Sequence, residues 1–255
     1  RVLFRSAGDY RQFGLECLMA ISFVAHSFDN PSSGASSITL TEPTGSAQND
    51  LLIAFLFNAA ETETVTDPAD FTEIDQRDNT TGGPSRRYYI GYKIRGVDAG
   101  SGYAFNWTTS VTNRSGVIVT LRGIDTTTPI DTAFSNDYVA GSANTTNITP
   151  DPVDTTTDNA WVVIFNHLTT TISGDAGVSS GYTELVDELN GSSNNDGFFV
   201  QRKLIATAGT ETPGATTHVD VTGTAEAAAY TLAIRPAASG IIPIVMYHRK
   251  MMGIS

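Results

Sequence analysis

Short apolar runs separated by polar turn segments recur along the whole chain. Residues 51–57 and 161–165 are continuous apolar runs of strand length, flanked by polar turn residues. In residues 88–95 and 103–108, the side chains fall into two alternating sets. This period of two is typical of a half-buried strand. No segment sustains the 3.6-residue period of an amphipathic helix. The pattern therefore predicts an all-β fold.

The same order of strand and turn residues occurs twice. Residues 41–58 align with 150–167 at an offset of 109, which places Pro43 on Pro152. Three further blocks follow in the same order at offsets of 110 or 111; they are 71–74 on 182–185, 88–94 on 198–204 and 120–121 on 231–232. We interpret this as an internal duplication with copies at 30–125 and 140–236, connected by residues 124–137.

Each copy has six or seven predicted strands at spacings that suit a sandwich. We expect two tandem antiparallel β-sandwich units of the jelly-roll or immunoglobulin-like type. A single larger sandwich with pseudo-twofold symmetry is the alternative, and the sequence does not separate the two. Residues 225–229 are alanine-rich, but they align with the last strand of the first copy and are predicted to be strand as well.

The two ends differ from the body of the chain. Residues 1–6 match the translation of a common sequencing adapter, so we expect 1–18 to be a non-native leader and Met19 to be the true start. Residues 237–255 form an apolar, methionine-rich tail with a basic trio at 248–250. The tail either packs on its own domain or docks into a partner subunit.

Composition excludes several classes of protein. The net charge is −12 and the chain has few lysines, whereas a general nucleic-acid binder needs a basic stripe. No window approaches 18 apolar residues, so no membrane span is predicted. The one cysteine, Cys17, excludes a disulfide framework and a multi-cysteine zinc site.

The chain carries no catalytic signature, and we expect it not to be an enzyme. It lacks a Gly-x-Ser-x-Gly elbow and a phosphate-binding loop, and its four histidines have no ligand spacing, so they are expected at the surface or at strand ends. Glu73 and Asp75 are predicted on one strand face, as a glycosidase pair would be, and Glu184 aligns with Glu73. We interpret these residues as an exposed strand edge.

No cofactor is expected. The acidic loops at 67–70 and 154–158 are interpreted as solvated turns, with Ca²⁺ binding as the alternative. The candidate ligand-binding residues are Tyr89, Lys93, Arg95 and Trp107. Tyr89 shares a face with Lys93 and Arg95 and is the more plausible exposed ring, although an intersheet contact is favoured for that face; core packing is favoured for Trp107.

Four motifs carry a resemblance to a known group of proteins. They are Thr-x-Pro-x-Gly-x-x-x-x-Asp-Leu-Leu-Ile from Thr41, Phe-Thr-Glu-Ile from Phe71, an aromatic strand ending in Tyr-Lys-Ile, and Leu-Arg-Gly-Ile-Asp-Thr-Thr-Thr-Pro-Ile-Asp from Leu121. Together they resemble β-rich proteins of tailed phages and marine viromes, and the resemblance covers most of 38–236. It implies a virion location and a tail, fibre or head-decoration role.

On this resemblance we expect a non-catalytic virion structural protein that acts by assembly and surface contact. Its partners would be other virion subunits or copies of itself, with a host surface glycan as a further candidate. The alternative is a secreted, extracellular carbohydrate-binding or adhesin module, and the third class is a glycan hydrolase.

Overall fold

The computed structural model describes residues 16–17, 20–59, 63–79, 86–98, 100–132, 138–141, 147–171, 176–189, 196–218, 222–238 and 240–241. Most of the predicted leader and most of the apolar tail lie outside these residues, as do the predicted turns at 80–84 and 191–195. Within the described residues there is no helix, and every sheet is antiparallel. The predicted all-β class is confirmed.

Nineteen strands are present in the described part of the chain. Those of the first half are β1 (Glu16–Cys17), β2 (Ser22–Asp29), β3 (Ala35–Leu40), β4 (Leu51–Asn58), β5 (Thr72–Asn79), β6 (Arg86–Ile94), β7 (Tyr103–Val111) and β8 (Arg114–Arg122). Those of the second half are β9 (Tyr138–Gly141), β10 (Asn147–Ile148), β11 (Val153–Asp154), β12 (Ala160–Thr171), β13 (Ala176–Gly177), β14 (Thr183–Leu189), β15 (Asp196–Ile205), β16 (Thr210–Glu211), β17 (Thr216–His218), β18 (Thr222–Ile234) and β19 (Gly240–Ile241).

Two five-stranded sheets form the centre of the molecule. Sheet I has the order β2-β8-β4-β6-β5, and sheet II has the order β9-β18-β12-β15-β14. When the strands of each sheet are counted along the chain, both orders are first, fifth, second, fourth, third. The apolar runs predicted as strands are the central strands, β4 and β12. The alanine-rich residues 225–229 lie in β18, as predicted.

The strand register gives an offset between the halves that differs by one residue from one of the sequence alignments. Leu51 lies opposite Ile94 in sheet I, and Trp161 lies opposite Leu204 in sheet II, so both residues of the second pair follow those of the first by 110 positions. The sequence alignment of 41–58 with 150–167 used 109. A one-residue slip moves every side chain to the other face of a strand, so only the offset of 110 aligns Phe55 with an inward-facing ring.

The two large sheets face each other across one shared core. Its buried residues come from the central strands of both sheets, and Phe55 is in ring contact with Phe165, Phe198 and Tyr230 of sheet II. Polar contacts also cross between the sheets: His26 Nε2 lies 2.7 Å from Glu188 Oε1. The edge strands β2 and β14 contact each other, and so do their neighbours β8 and β15.

The outer face of each large sheet is covered by smaller sheets. On sheet I the pair β3–β7 packs over Leu52, Leu56 and Tyr89. On sheet II the short strands β10, β11, β13, β16 and β17 form two small sheets, and Ile148 and Val153 pack on its outer face. Both faces of β4 are therefore covered, which explains why all eight of its residues are buried and why its sequence does not alternate.

The segment that connects the halves is hydrogen-bonded to the end of β18. Asp125 N donates to Arg235 O, Arg235 N donates to Pro129 O, and Asp131 N donates to Ala233 O. Beyond this segment, Glu16 and Cys17 of the predicted leader pair with Ile241 and Gly240 of the predicted tail.

Candidate functional site

The four residues expected to bind a ligand lie at the outer face of sheet I, which the β3–β7 pair covers. Tyr89 and Trp107 are buried in the same apolar cluster, between sheet I and the β3–β7 pair. Tyr89 packs against Phe105 with ring centroids 5.5 Å apart, and its hydroxyl donates to Asp67 Oδ2 at 3.2 Å. Burial, with the nearby charge of Asp67, raises the pKa of Tyr89 far above its usual value.

The expectation of an exposed ring at Tyr89 is therefore wrong. The physical reason is the additional layer of sheet, because β3 and β7 cover the face of β6 that the alternating pattern left open. The intersheet contact that was favoured for this face is what the structure shows. Trp107 is 6% exposed, in agreement with the core packing favoured for it.

Lys93 and Arg95 meet at a network of charged and phenolic groups. Arg95 Nε donates to Glu42 Oε1 at 3.0 Å, and Tyr103 Oη donates to Glu42 Oε2 at 2.5 Å. Burial opposes ionisation of Glu42, but hydrogen bonds from Tyr103 and Arg95 outweigh it and hold the pKa of Glu42 below its usual value. Lys93 Nζ lies 5.1 Å from the Tyr103 ring centroid and 3.6 Å from Asp70 Oδ2. Each cation thus has an acidic partner within the fold.

The second half has a similar arrangement. Phe199 is buried, and Lys203 Nζ donates to Glu211 at 2.8 and 2.9 Å while lying 5.7 Å from the Tyr182 ring centroid. These contacts fix the outer layer to the sheet in both halves.

The acidic residues considered for catalysis and calcium binding have separate contacts. A bulge lies between Glu73 and Asp75; Glu73 accepts a hydrogen bond from Gln76, whereas Asp75 accepts one from Tyr230 of sheet II at 3.2 Å. The prediction that Glu73 and Asp75 share one strand face is wrong, because the bulge between them shifts the alternation of side chains by one residue. Asp154 accepts a hydrogen bond from Thr210. Among the described residues, no three His, Cys, Asp or Glu side chains converge as a metal site.

His167 lies in the shared core, not at a surface or strand end. Its ring centroid is 4.4 Å from that of Phe57 and 4.5 Å from that of Phe198, and its Nδ1 is 3.3 Å from Tyr88 Oη. Burial, together with the charge of Arg86, lowers the pKa of His167 well below its usual value. The imidazole is therefore a neutral core ring, and the prediction of a surface position is corrected.

A cavity of about 290 Å³ opens at one end of the shared core. We call it the core-end pocket; its lining residues are Ala20, Ile21, Asn159, Trp161, Arg202, Leu204 and Pro236. The Arg202 guanidinium carbon lies 4.4 Å from the Trp161 ring centroid. Leu204 is half exposed at the rim, and Asn159 precedes β12 with a φ of 62°.

Sequence reasoning missed Arg202, although a signal was present. In β15 the residues Phe198 and Val200 face the core, so a period of two puts Arg202 and Leu204 on the same face. An arginine at an inward-facing position is the signal that could have identified this pocket.

The described residues thus define an all-β, sandwich-like protein with a pocket at the end of its core. No protein-family model, curated protein or solved structure matches the chain. In the part of the chain that the structure describes, no helix has the length and hydropathy needed to cross a bilayer.

Proposed function

We propose that this protein is a non-catalytic structural subunit of a virion, a tail, fibre or head-decoration component, that acts by assembly and surface contact. The observation that carries the proposal is the shared core, because it joins two large sheets into one body whose central strands are covered on both faces. Close-packed interiors have low compressibility and transmit force, as a particle subunit requires. The motif resemblance to phage and virome proteins supplies the virion context.

We infer that the body is a duplicated β-sandwich whose copies pack through their large sheets. The identical strand order of sheets I and II supports this inference. Left-handed backbone positions also recur at matching places: Asn49 and Asn159 precede β4 and β12, and Asp70 and Gly181 precede β5 and β14. Such positions favour Asn, Asp and Gly, so a shared turn geometry explains their recurrence.

Cross-sheet polar contacts support a single body as well. Tyr230 of sheet II donates to Asp75 of sheet I, and His26 of sheet I contacts Glu188 of sheet II. Contacts of this kind fix the register of two sheets that apolar packing alone would allow to slide. The acidic net charge of −12 favours solubility and disfavours non-specific binding to nucleic acid.

The proposal is tested by the oligomeric state of the purified protein in solution. Light scattering on the full chain should give a discrete homo-oligomer, a trimer or a larger ring. Removal of residues 241–255 should dissociate it, because this apolar tail is the segment expected to dock into a neighbouring subunit. A full-length variant with alanine at 248–250 controls for the loss of charge and should keep the oligomer.

A monomer at every concentration, unchanged by removal of the tail, would contradict assembly. A glycan-array screen would then test the carbohydrate-binding alternative. Circular dichroism of each variant verifies that the β-structure is retained.

A further inference from the structure

The core-end pocket has the character of a ligand site with an apolar wall and one cation. Trp161 and Ile21 extend the shared core into its floor, and Ala20, Leu204 and Pro236 continue the wall toward solvent. Its polar side chains are those of Arg202 and Asn159. Its volume of about 290 Å³ lies at the lower end of the range for small-molecule pockets.

Arg202 differs from other cations of this acidic chain. Several of them lie against carboxylates within the fold; these pairs are Arg95–Glu42, Arg122–Asp50, Arg235–Asp131 and Lys203–Glu211. Arg202 has a stacking contact with Trp161, and its buried Nε has no hydrogen-bond acceptor among the described residues. A cation without an acidic partner favours an anionic ligand, and a carboxylate is the acceptor that best matches the planar edge of a guanidinium.

We propose that the core-end pocket binds a small monocarboxylate with an aromatic or alkyl body. The carboxylate would accept hydrogen bonds from Arg202, and the apolar body would pack against Trp161 and Leu204. A neutral sugar fits less well, because most of its hydroxyl groups would face apolar wall and lose their hydrogen bonds to water. This inference does not depend on the assembly function, and a monomeric protein could carry the same site.

Matched acid and amide probes test the proposal on the full chain. Titration calorimetry with 3-phenylpropionate and octanoate should show saturable binding of at least one acid, with a dissociation constant below about 1 mM. The corresponding amides have the same shape without the charge and should bind at least about tenfold more weakly. Quenching or a shift of tryptophan fluorescence should report the same saturation, since Trp161 lines the pocket.

Two charge variants locate the carboxylate. Arg202→Gln should weaken binding of the acid by at least about tenfold and leave acid and amide with equal affinity. Lys203→Gln removes the same charge from the adjacent residue, whose partner Glu211 lies on the outer side of sheet II, and should leave acid binding unchanged.

A rim variant keeps the test informative if Arg202→Gln fails to fold. Leu204 is 50% exposed, so Leu204→Glu adds a negative charge beside the pocket without disturbing the core, and it should weaken acid binding more than amide binding. The proposal is overturned if neither acid binds saturably, if the amides bind as tightly as the acids, or if a folded Arg202→Gln variant retains full affinity.

Discussion

Single residues show how an additional layer of sheet changes the environment of a strand. Tyr89 and Gly91 lie on the outer face of β6, where the alternating sequence predicted exposure, yet Tyr89 is buried under the β3–β7 pair and Gly91 is buried beneath Tyr89. The phenol of Tyr89 runs across Gly91, so a methyl group at Gly91 would overlap it and approach Thr72 O to 3.0 Å. Position 91 therefore requires glycine, because the side chain of Tyr89 leaves no room for a Cβ.

Gly91→Ala is expected to destabilise the fold by about 1–3 kcal/mol, because the phenol of Tyr89 must move within a packed layer. The midpoint of urea unfolding measures the change. Gly96→Ala is the matched control: a Cβ at Gly96 would have no neighbour within 4 Å, so its effect should stay within about 0.5 kcal/mol. Equal midpoints for the two variants would contradict the close approach.

The limits of sequence reasoning are also clearest at single residues. The identity of Trp107 as a core residue followed from its alternation with polar neighbours, and its burial confirms it. Tyr89 was misplaced because a pattern of two faces does not show what covers each face, and His167 was misplaced because a histidine without ligand spacing was expected at the surface or at a strand end. The inward-facing position of Arg202 was visible in the strand pattern, but the pocket itself was not, because it forms only when the fold brings Ala20 and Pro236 beside β15.

Among the elements, β4 shows what the sequence predicted well. Its apolar run predicted a strand without a solvent face, and the structure buries Ile53 toward sheet II and Ala54 toward the outer β3–β7 layer. The existence of the strand followed from the run, whereas its central place between β6 and β8 depended on long-range pairing. The bulge between Glu73 and Asp75 could not be predicted from the sequence either, since it arises from pairing with β6.

Ala54→Asp should prevent stable folding, because a charge without a partner would lie in the apolar cluster on the outer face of β4. Ala104→Asp is the same substitution at an exposed position of β7 and should be tolerated. Soluble yield and far-UV circular dichroism compare the two variants. A stable, folded Ala54→Asp variant would show that the outer face of β4 is open to water.

Asp131, in the connecting segment, is expected to make the stability of the fold depend on pH. Burial would raise the pKa of Asp131, but hydrogen bonds from Thr157, Thr156 and Arg235 outweigh it and hold the pKa below its usual value. A lowered carboxyl pKa stabilises the fold at neutral pH, and this contribution is lost as the pH falls through the folded-state pKa.

Asp131→Asn should reduce the free energy of unfolding by about 1–3 kcal/mol at pH 7. The difference from the unchanged chain should shrink as the pH is lowered below about 4, where an unfolded aspartate is already protonated. Urea unfolding of both proteins at pH 7 and at pH 3 provides the comparison. A difference that is the same at both values would mean that Asp131 contributes through shape and not through charge.

The two halves of the molecule form one body through the shared core. Each half contributes a large sheet to the shared core, and Phe55 of sheet I contacts rings on three strands of sheet II. Since neither large sheet has a covered inner face without the other, separate unfolding of the halves would expose apolar surface on both. The proposed structural role requires this coupling.

The most direct test is equilibrium unfolding in urea, followed from both halves at once. Trp107 lies in β7, in the outer layer of the first half, and Trp161 lies in the second half, so the variants Trp161→Phe and Trp107→Phe each leave one reporter. In each variant the fluorescence transition should coincide with the far-UV circular dichroism transition, as for a single cooperative unit. Transitions that separate, with one half melting while the other stays folded, would contradict the shared core as the basis of the fold and of the proposed function.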